Sequence, residues 1–342
     1  GAQYGAGSLR DMAWLELRSL SRPESLDPAL EVLLDIVADS QFPKDDFERA
    51  RKQRLVALKA EEQSPSNIAS KAYYQAVYAD HPYASPVSGT IESVQGINRK
   101  DLIDFYETYY VARNGVLVLV GDLNRKQAEA LALRFDEVLE EGKKAPALPE
   151  VKALDKAQLI RIPFPSEQAH IFIGQPGMSR TDPDYFPLYL GNHVLGGSGF
   201  TSRLMKEVRS DRGLAYSVYS YFLPMRAQGP FLAGLQTRVD QADQAVEIVY
   251  DTLSRFRDDG PDKKELMASK RNITGGFPLR IASNSDLVQY LAVIGFYDLP
   301  LDYLDSFVSK VEAVDSKAIQ DAYQRRLHPE RMVTVIVGGE QE

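Results

Sequence analysis

Residues Val94 to Asp122 recur at Val311 to Gly339 without a gap, at an offset of 217. The string VQGINRKDLIDFYETYYVARNGVLVLVGD stands against VEAVDSKAIQDAYQRRLHPERMVTVIVGG, and Lys100, Asp104, Tyr106, Val116, Val118, Val120 and Gly121 keep their identities at Lys317, Asp321, Tyr323, Val333, Val335, Val337 and Gly338. A repeat of that period in a chain of 342 residues means two homologous halves, not one larger core. Each copy carries the same signals in the same order: an N-cap at Asn98 or Asp315, an amphipathic helix, a short turn, and a strand of alternating valines ending at glycine. Shorter matches, Ala29 to Asp35 with Ala245 to Asp251 and Pro43 to Gln53 with Pro261 to Asn272, carry the duplicated α+β unit through most of each half.

The division follows from the repeat. Residues 1–139 form the N-terminal domain, the charged and proline-containing stretch 140–156 is the linker, and residues 157–342 form the C-terminal domain. The second copy opens with strand-like runs at 158–163 and 168–174, continues with helices at 185–195 and 201–210, and then has strands at 214–222 and 230–238. By the same offset the counterpart of Gln158 falls about sixty residues ahead of Gly1, so the first copy is expected to begin in mid-domain. Gly1 to Gly7 then matches the strand near Ala215 to Ser220, and Met12 to Leu20 the strand near Pro230 to Arg238. Two strands and two helices of the second copy lack counterparts.

Composition removes several functions. With 44% hydrophobic and 26% charged residues the chain is globular, and no run approaches the ~18 to 20 apolar residues of a membrane helix. A net charge of -8 argues against a general binder of phosphate backbones. The absence of cysteine excludes disulfides, thiolate zinc sites, iron–sulfur clusters and a cysteine nucleophile. The only histidines, His81, His170, His193 and His328, are too far apart in sequence for two of them to share a helical turn, so a local two-histidine metal site is excluded.

Three strings stand out beside the duplication: His81-Pro82-Tyr83 followed by Gly89-Thr90, Leu195-Gly-Gly-Ser-Gly-Phe-Thr-Ser-Arg-Leu204, and Glu207-Val-Arg-Ser-Asp-Arg-Gly-Leu-Ala-Tyr-Ser-Val218. With them nearly the whole chain resembles the pitrilysin and mitochondrial processing peptidase superfamily of inverted-zincin peptidases. The resemblance implies an α+β fold of two homologous domains, each a mainly antiparallel sheet with helices packed on one face. Active members bind zinc through His-x-x-Glu-His on an early helix and a glutamate on a later one, leaving one position open for water. The first motif would lie ahead of Gly1, and its place in the second copy, Leu188 to Gly196, holds His193 alone. The later helix spans Asp45 to Glu62, and counting back from Ser64-Pro65 puts the expected metal ligand at Ala57 and the earlier acid at Ala50. A shift of register would instead bring Glu61 or Glu62 to the site.

The resemblance therefore implies a chain with no metal or cofactor of its own, a zinc-free subunit that closes the peptide-binding chamber of a homologous zinc-bearing partner. Its contribution is an arginine and a tyrosine seven residues apart, here Arg209 and Tyr216, both donors able to hold a substrate carbonyl and a developing oxyanion. The implied substrate is a peptide or an unfolded segment, and the implied location the periplasm or cell envelope, with the cytoplasm as the other possibility. Two other readings are an active zinc peptidase whose His-x-x-Glu-His precedes Gly1, and a structural subunit like the core proteins of respiratory complexes.

Other features read as structural. Gly196 to Gly199 lacks the Lys-Ser/Thr of a phosphate loop and is expected to be a tight interhelical connection. His81 precedes a proline and sits in a turn, and His170 and His328 have no acid–base partner in sequence. Tyr73, Tyr74, Tyr78, Tyr106, Tyr109 and Tyr110 are expected in core or interface packing, and no serine has a convincing His–Asp set.

Overall fold

In chain order the computed structural model, which describes residues 1–339, runs β1 (Gln3–Ser8), β2 (Ala13–Arg18), α1 (Pro23–Ala38), α2 (Lys44–Glu61), α3 (Pro65–Tyr78), α4 (Ile91–Gly96), α5 (Arg99–Tyr109) and α6 (Arg125–Val138). It continues with β3 (Gln158–Ile162), β4 (Gln168–Pro176), α7 (Tyr185–Asn192), β5 (Ala215–Phe222), β6 (Pro230–Arg238), α8 (Ala242–Asp259), α9 (Lys263–Gly276), α10 (Asn284–Phe296), α11 (Tyr303–Ala313), α12 (Ser316–Arg326) and β7 (Val333–Val337). Contacts group these into two units. Residues 1–59, 87–147 and 280–299 form the first, and residues 60–86, 148–279 and 300 onward the second. Packing thus assigns α3 to the second unit and α10 to the first, although the repeat places each in the other half.

In the first unit β1 and β2 pair antiparallel from Gln3↔Arg18 to Ser8↔Ala13, at the positions the repeat assigns to them. The Tyr4 hydroxyl donates to the Ala29 carbonyl of α1 at 2.8 Å, and Tyr106 of α5 donates to Val37 O at 2.7 Å. Asn98 caps α5 as expected, its side chain accepting from Lys100 N and Asp101 N while Asp101 returns the bond to Asn98 N. One expectation fails: residues 116–120 form no strand, and Val116 and Leu117 are 50% and 43% exposed. The identical pattern at β7 is a strand because β3 and β4 flank it. Among the described residues the first unit has no counterpart of either, so alternating valines there have no backbone to pair with.

The second unit holds a five-stranded sheet of order β3-β7-β4-β6-β5, antiparallel except for the parallel β3–β7 pair. It confirms the mainly antiparallel α+β class and adds a second covering layer. Alternation sends Val333, Val335 and Val337 into a cluster with Tyr73, Tyr74 and Val77 of α3, while Thr334 points the other way and shares a 2.8 Å hydrogen bond with Tyr250 of α8. Helices therefore cover both faces. Tyr73 is fully buried and donates to Phe231 O at 2.6 Å, so the α3 tyrosines are core, whereas Tyr109 and Tyr110 remain exposed. Asp315 caps α12 by accepting from Ala318 N at 2.7 Å.

A partly buried charge network, with the carboxylates buried and Arg325 half-exposed, ties α12 to the turn before α7. Arg325 grips Asp184 through two bonds of 2.7 and 2.8 Å, and Arg326 reaches Asp184 at 2.9 Å and Asp182 at 2.8 Å. The Arg325 hydrogen bonds, assisted by Arg326 and opposed by burial, hold the Asp184 carboxyl below the usual aspartate range. A depressed folded-state value stabilises the fold above the unfolded-state pKa and is lost as pH falls through the folded one. Thermal melts from pH 6 to pH 3 should show that loss setting in below about pH 4. Asp184→Asn should cost about 2–3 kcal/mol at pH 7 and flatten the acid limb of the curve.

Candidate functional site

The candidate site is built on the second unit, where β5 is one of the two edge strands and two irregular helical segments lie beside it. Past Asn192, α7 widens into one π-helical turn, His193–Gly197. A second π-helical segment, Met205–Ser210, leads into β5. The expected helices at 185–195 and 201–210 thus exist but end in wide turns, which redirect side chains and recur at functional sites. The first turn is held against β5 by close backbone approach. A Cβ on Gly196 would lie 2.3 Å from Ser220 Oγ and 2.5 Å from Ser220 N. Asn192 and Ser220 seal the contact reciprocally, Nδ2 donating to Ser220 O at 2.9 Å and Ser220 Oγ to Asn192 Oδ1 at 2.7 Å.

Between the two segments the chain makes a 3₁₀ turn at Gly199–Thr201, with Gly199 at φ +61°. Buried Ser202 donates its hydroxyl to Gly199 O at 2.8 Å, and Arg203 makes a two-pronged ion pair with Glu265, both bonds 2.7 Å, plus a 2.9 Å bond to Gly260 O. The glycine run is therefore the structural connection its sequence suggested, one glycine serving close approach and another the left-handed turn.

This framework brings Arg209 and Tyr216 together. The Arg209 guanidinium carbon lies 4.9 Å from the centre of the Tyr216 ring and 4.8 Å from that of Phe200. Tyr216 sits at a β-bulge. Ala215 pairs with Thr237 and Ser217 with Gln236, so Tyr216 is the extra residue, and its side chain is 82% exposed. Neither the Arg209 guanidinium nor the Tyr216 hydroxyl has a hydrogen-bond or carboxylate partner among the described residues. The nearby carboxylate is engaged elsewhere: Glu207 bonds Arg212 at 2.8 Å and faces Arg255 at 3.5 Å. Burial opposes ionisation of Glu207, but those two arginines outweigh it and keep its pKa low. Arg209 is thereby left as a cation held only by rings.

The position expected for a metal ligand, Ala57, and that of the earlier acid, Ala50, carry no metal-binding group. Ala50 lines an open, mainly apolar cavity of about 700 Å³ in the first unit with Phe47 and Arg54, and Ala57 is half-buried beside Leu58. A methyl group offers no lone pair, and Glu61 lies in the last turn of α2. Among the described residues no three histidine, aspartate or glutamate side chains come close enough to share a metal ion. His193 meets neutral partners, its Nδ1 3.0 Å from Ser269 Oγ and its Nε2 3.1 Å from Asn272 Oδ1. His81 caps the turn at Pro82–Ala84, with Nδ1 accepting from Tyr83 N at 3.1 Å and Nε2 3.1 Å from Pro149 O. His170 lies 3.1 Å from Gln236 Nε2, with its pKa lowered by burial, and His328 lies 3.4 Å from Glu330.

Sequence reading missed Phe200, the Ser269 and Asn272 partners of His193, and the bulge at Tyr216. Only Phe200 left a signal, as a large apolar residue inside a Gly/Ser turn. Among the described residues no helix is long and apolar enough to cross a membrane.

Residues 96–273 match the family model for the peptidase M16 inactive domain. A crystal structure described as the peptidase M16 inactive domain from Pseudomonas fluorescens aligns with a TM-score of 0.95 at 38% identity, covering 100% of this chain and 82% of that one. The uncharacterized zinc protease YmxG of Bacillus subtilis is 29% identical over 266 residues, 77% of this chain and 63% of that protein. The non-peptidase homolog YmxG of Helicobacter pylori is 29% identical over 299 residues, 86% of this chain and 68% of that protein. The chain therefore spans less than two thirds of the Bacillus relative.

Gly196→Ala should destabilise the second unit by roughly 3 kcal/mol, because the new methyl meets the Ser220 backbone nitrogen as well as the Ser220 hydroxyl, and the backbone cannot move aside. Gly199→Ala, with open space around it, should cost only about 1–2 kcal/mol from its left-handed φ. Urea unfolding of the two variants checks the order.

Proposed function

The chain belongs to the peptidase M16 family, and we propose that it is a zinc-free subunit of a heterodimeric metallo-endopeptidase, acting in the periplasm or cell envelope. In this reading it closes a peptide-binding chamber over a homologous, zinc-bearing partner. The supporting observation is the pairing of unused donors at Arg209 and Tyr216 on an exposed face. Alanines at the expected ligand position, Ala57, and at the earlier acid's position, Ala50, point the same way. The match to an inactive-domain model and the non-peptidase name of the Helicobacter relative agree with a chain that does no metal chemistry alone.

The partner's zinc would supply an activated water. The part of this chain is to bind and orient. Arg209 presents N–H donors to a peptide carbonyl oxygen and holds the substrate in register. Tyr216 donates its hydroxyl to the same region, where negative charge grows as that carbonyl is attacked. Because both donors are already placed and owe no bond among the described residues, no hydrogen bond there must break when substrate arrives. Interactions that strengthen as the oxyanion develops raise turnover and not merely affinity.

A second reading, an active zinc peptidase, draws on the zinc-protease name of the Bacillus relative. It requires ligands that the residues present do not supply. A longer natural chain that binds one zinc and cleaves peptide unaided would establish it against the first.

In the purified complex, Arg209→Ala combined with Tyr216→Phe should lower kcat/KM by about 10²–10³-fold. Zinc content and subunit association should stay unchanged. Full activity in that variant would remove the two residues from the reaction and leave a structural role.

A further inference from the structure

Phe200 is the least economical side chain near the site. It is 72% exposed although nothing about a 3₁₀ turn requires an aromatic ring, and an exposed ring forgoes the stabilisation that burial brings. The turn that carries it is fixed, by Ser202 Oγ to Gly199 O at 2.8 Å, by Thr201 Oγ1 to Ser198 Oγ at 3.0 Å, and by the Arg203–Glu265 ion pair just beyond. Its ring therefore has a defined position, with its centre 4.8 Å from the Arg209 guanidinium carbon. The Tyr216 ring is 4.9 Å from the same atom. One long, rotamer-rich side chain is thus gripped by two exposed rings and, among the described residues, by no carboxylate.

Resting on the reading of Arg209 and Tyr216 as substrate-holding donors, we propose that Phe200 is the specificity-determining third member of that site. The ring restrains Arg209, so that the guanidinium need not be ordered when a peptide binds. Its remaining surface receives an apolar side chain of the substrate. The ligand class is an extended peptide with a bulky apolar residue within one or two positions of the carbonyl that Arg209 takes. Two features argue for that chemistry. The guanidinium offers only donors and the phenol can donate beside it, which suits a carbonyl oxygen, and the ring of Phe200 offers only apolar area, which suits the neighbouring side chain.

The test uses the complex with its zinc-bearing partner and two labelled heptapeptides that differ only in a central Leu or Ser. The intact protein should favour the Leu peptide by about tenfold or more in kcat/KM. Phe200→Ala should raise KM for both peptides, by about tenfold more for the Leu peptide than for the Ser peptide, and bring the preference close to one. Phe200→Tyr should restore it. Thermal melting of the variants should match the parent, since the ring is exposed. If Phe200→Ala keeps the Leu preference while Arg209→Ala still lowers turnover of both peptides, the role given to Phe200 is wrong and the Arg209–Tyr216 reading stands. If neither Arg209→Ala nor Tyr216→Phe changes turnover, both fall together.

Discussion

A β-strand has no internal hydrogen bonds, so it exists only where another backbone lies beside it. That constraint governs both halves of this protein. β7 lies between β3 and β4, every residue of it is buried, and the covering layers of α3 and α8 rest on the faces it helps to form. The same valine pattern at 116–120 has no flanking strands among the described residues and stays irregular, with Val116 and Leu117 exposed. The first unit accordingly keeps a two-stranded ribbon and relies on helix contacts and on side-chain bonds to backbone carbonyls, such as Tyr4 to Ala29 and Tyr106 to Val37. A ribbon of two strands holds only marginally without such support.

Edge position is also what makes the candidate site possible. An inner strand could not spare a residue from its ladder on both sides. β5 pairs only with β6, so the bulge at Tyr216 disturbs one ladder, and the freed side chain turns outward without leaving an inner pair unmade. The close contact of Gly196 with Ser220 then fixes where the first π-helical turn meets that strand, and the second turn delivers Arg209 to the bulge. A wide turn and an extra strand residue are small departures from regular structure. Together they place two residues seven apart in sequence within contact of each other.

Much of this was legible in the residues because repetition supplies internal calibration. The strands β1 and β2, whose own sequences are weakly patterned, were placed by the offset from β5 and β6, and the caps at Asn98 and Asp315 follow from the chemistry of short polar side chains. What escaped depends on neighbours that sequence does not order. Whether Val116 to Val120 becomes a strand depends on partners and not on the segment itself. Whether α3 covers the sheet of the second unit depends on Tyr73 meeting Phe231, 158 residues away. The string around Arg209 and Tyr216 identified the pair, but neither the bulge nor the contact with Phe200 leaves a mark on that string.

The distribution of carboxylates explains why, among the described residues, Arg209 is left available where Arg203, Arg212 and Arg255 are not. Arg203 is taken by Glu265 through two bonds and so serves as an anchor. Glu207, two residues before Arg209, binds Arg212 and faces Arg255, and an acid already opposed by two cations has little left to offer a third. Had Glu207 turned to Arg209 instead, the guanidinium would have been neutralised by a neighbour and substrate would have had to displace a salt bridge. Rings hold a cation without satisfying its donors, because the attraction acts through the ring face and leaves the N–H groups unbonded. Phe200 and Tyr216 therefore fix Arg209 without occupying its hydrogen-bonding capacity, the condition that a carbonyl-binding residue on an open surface has to meet.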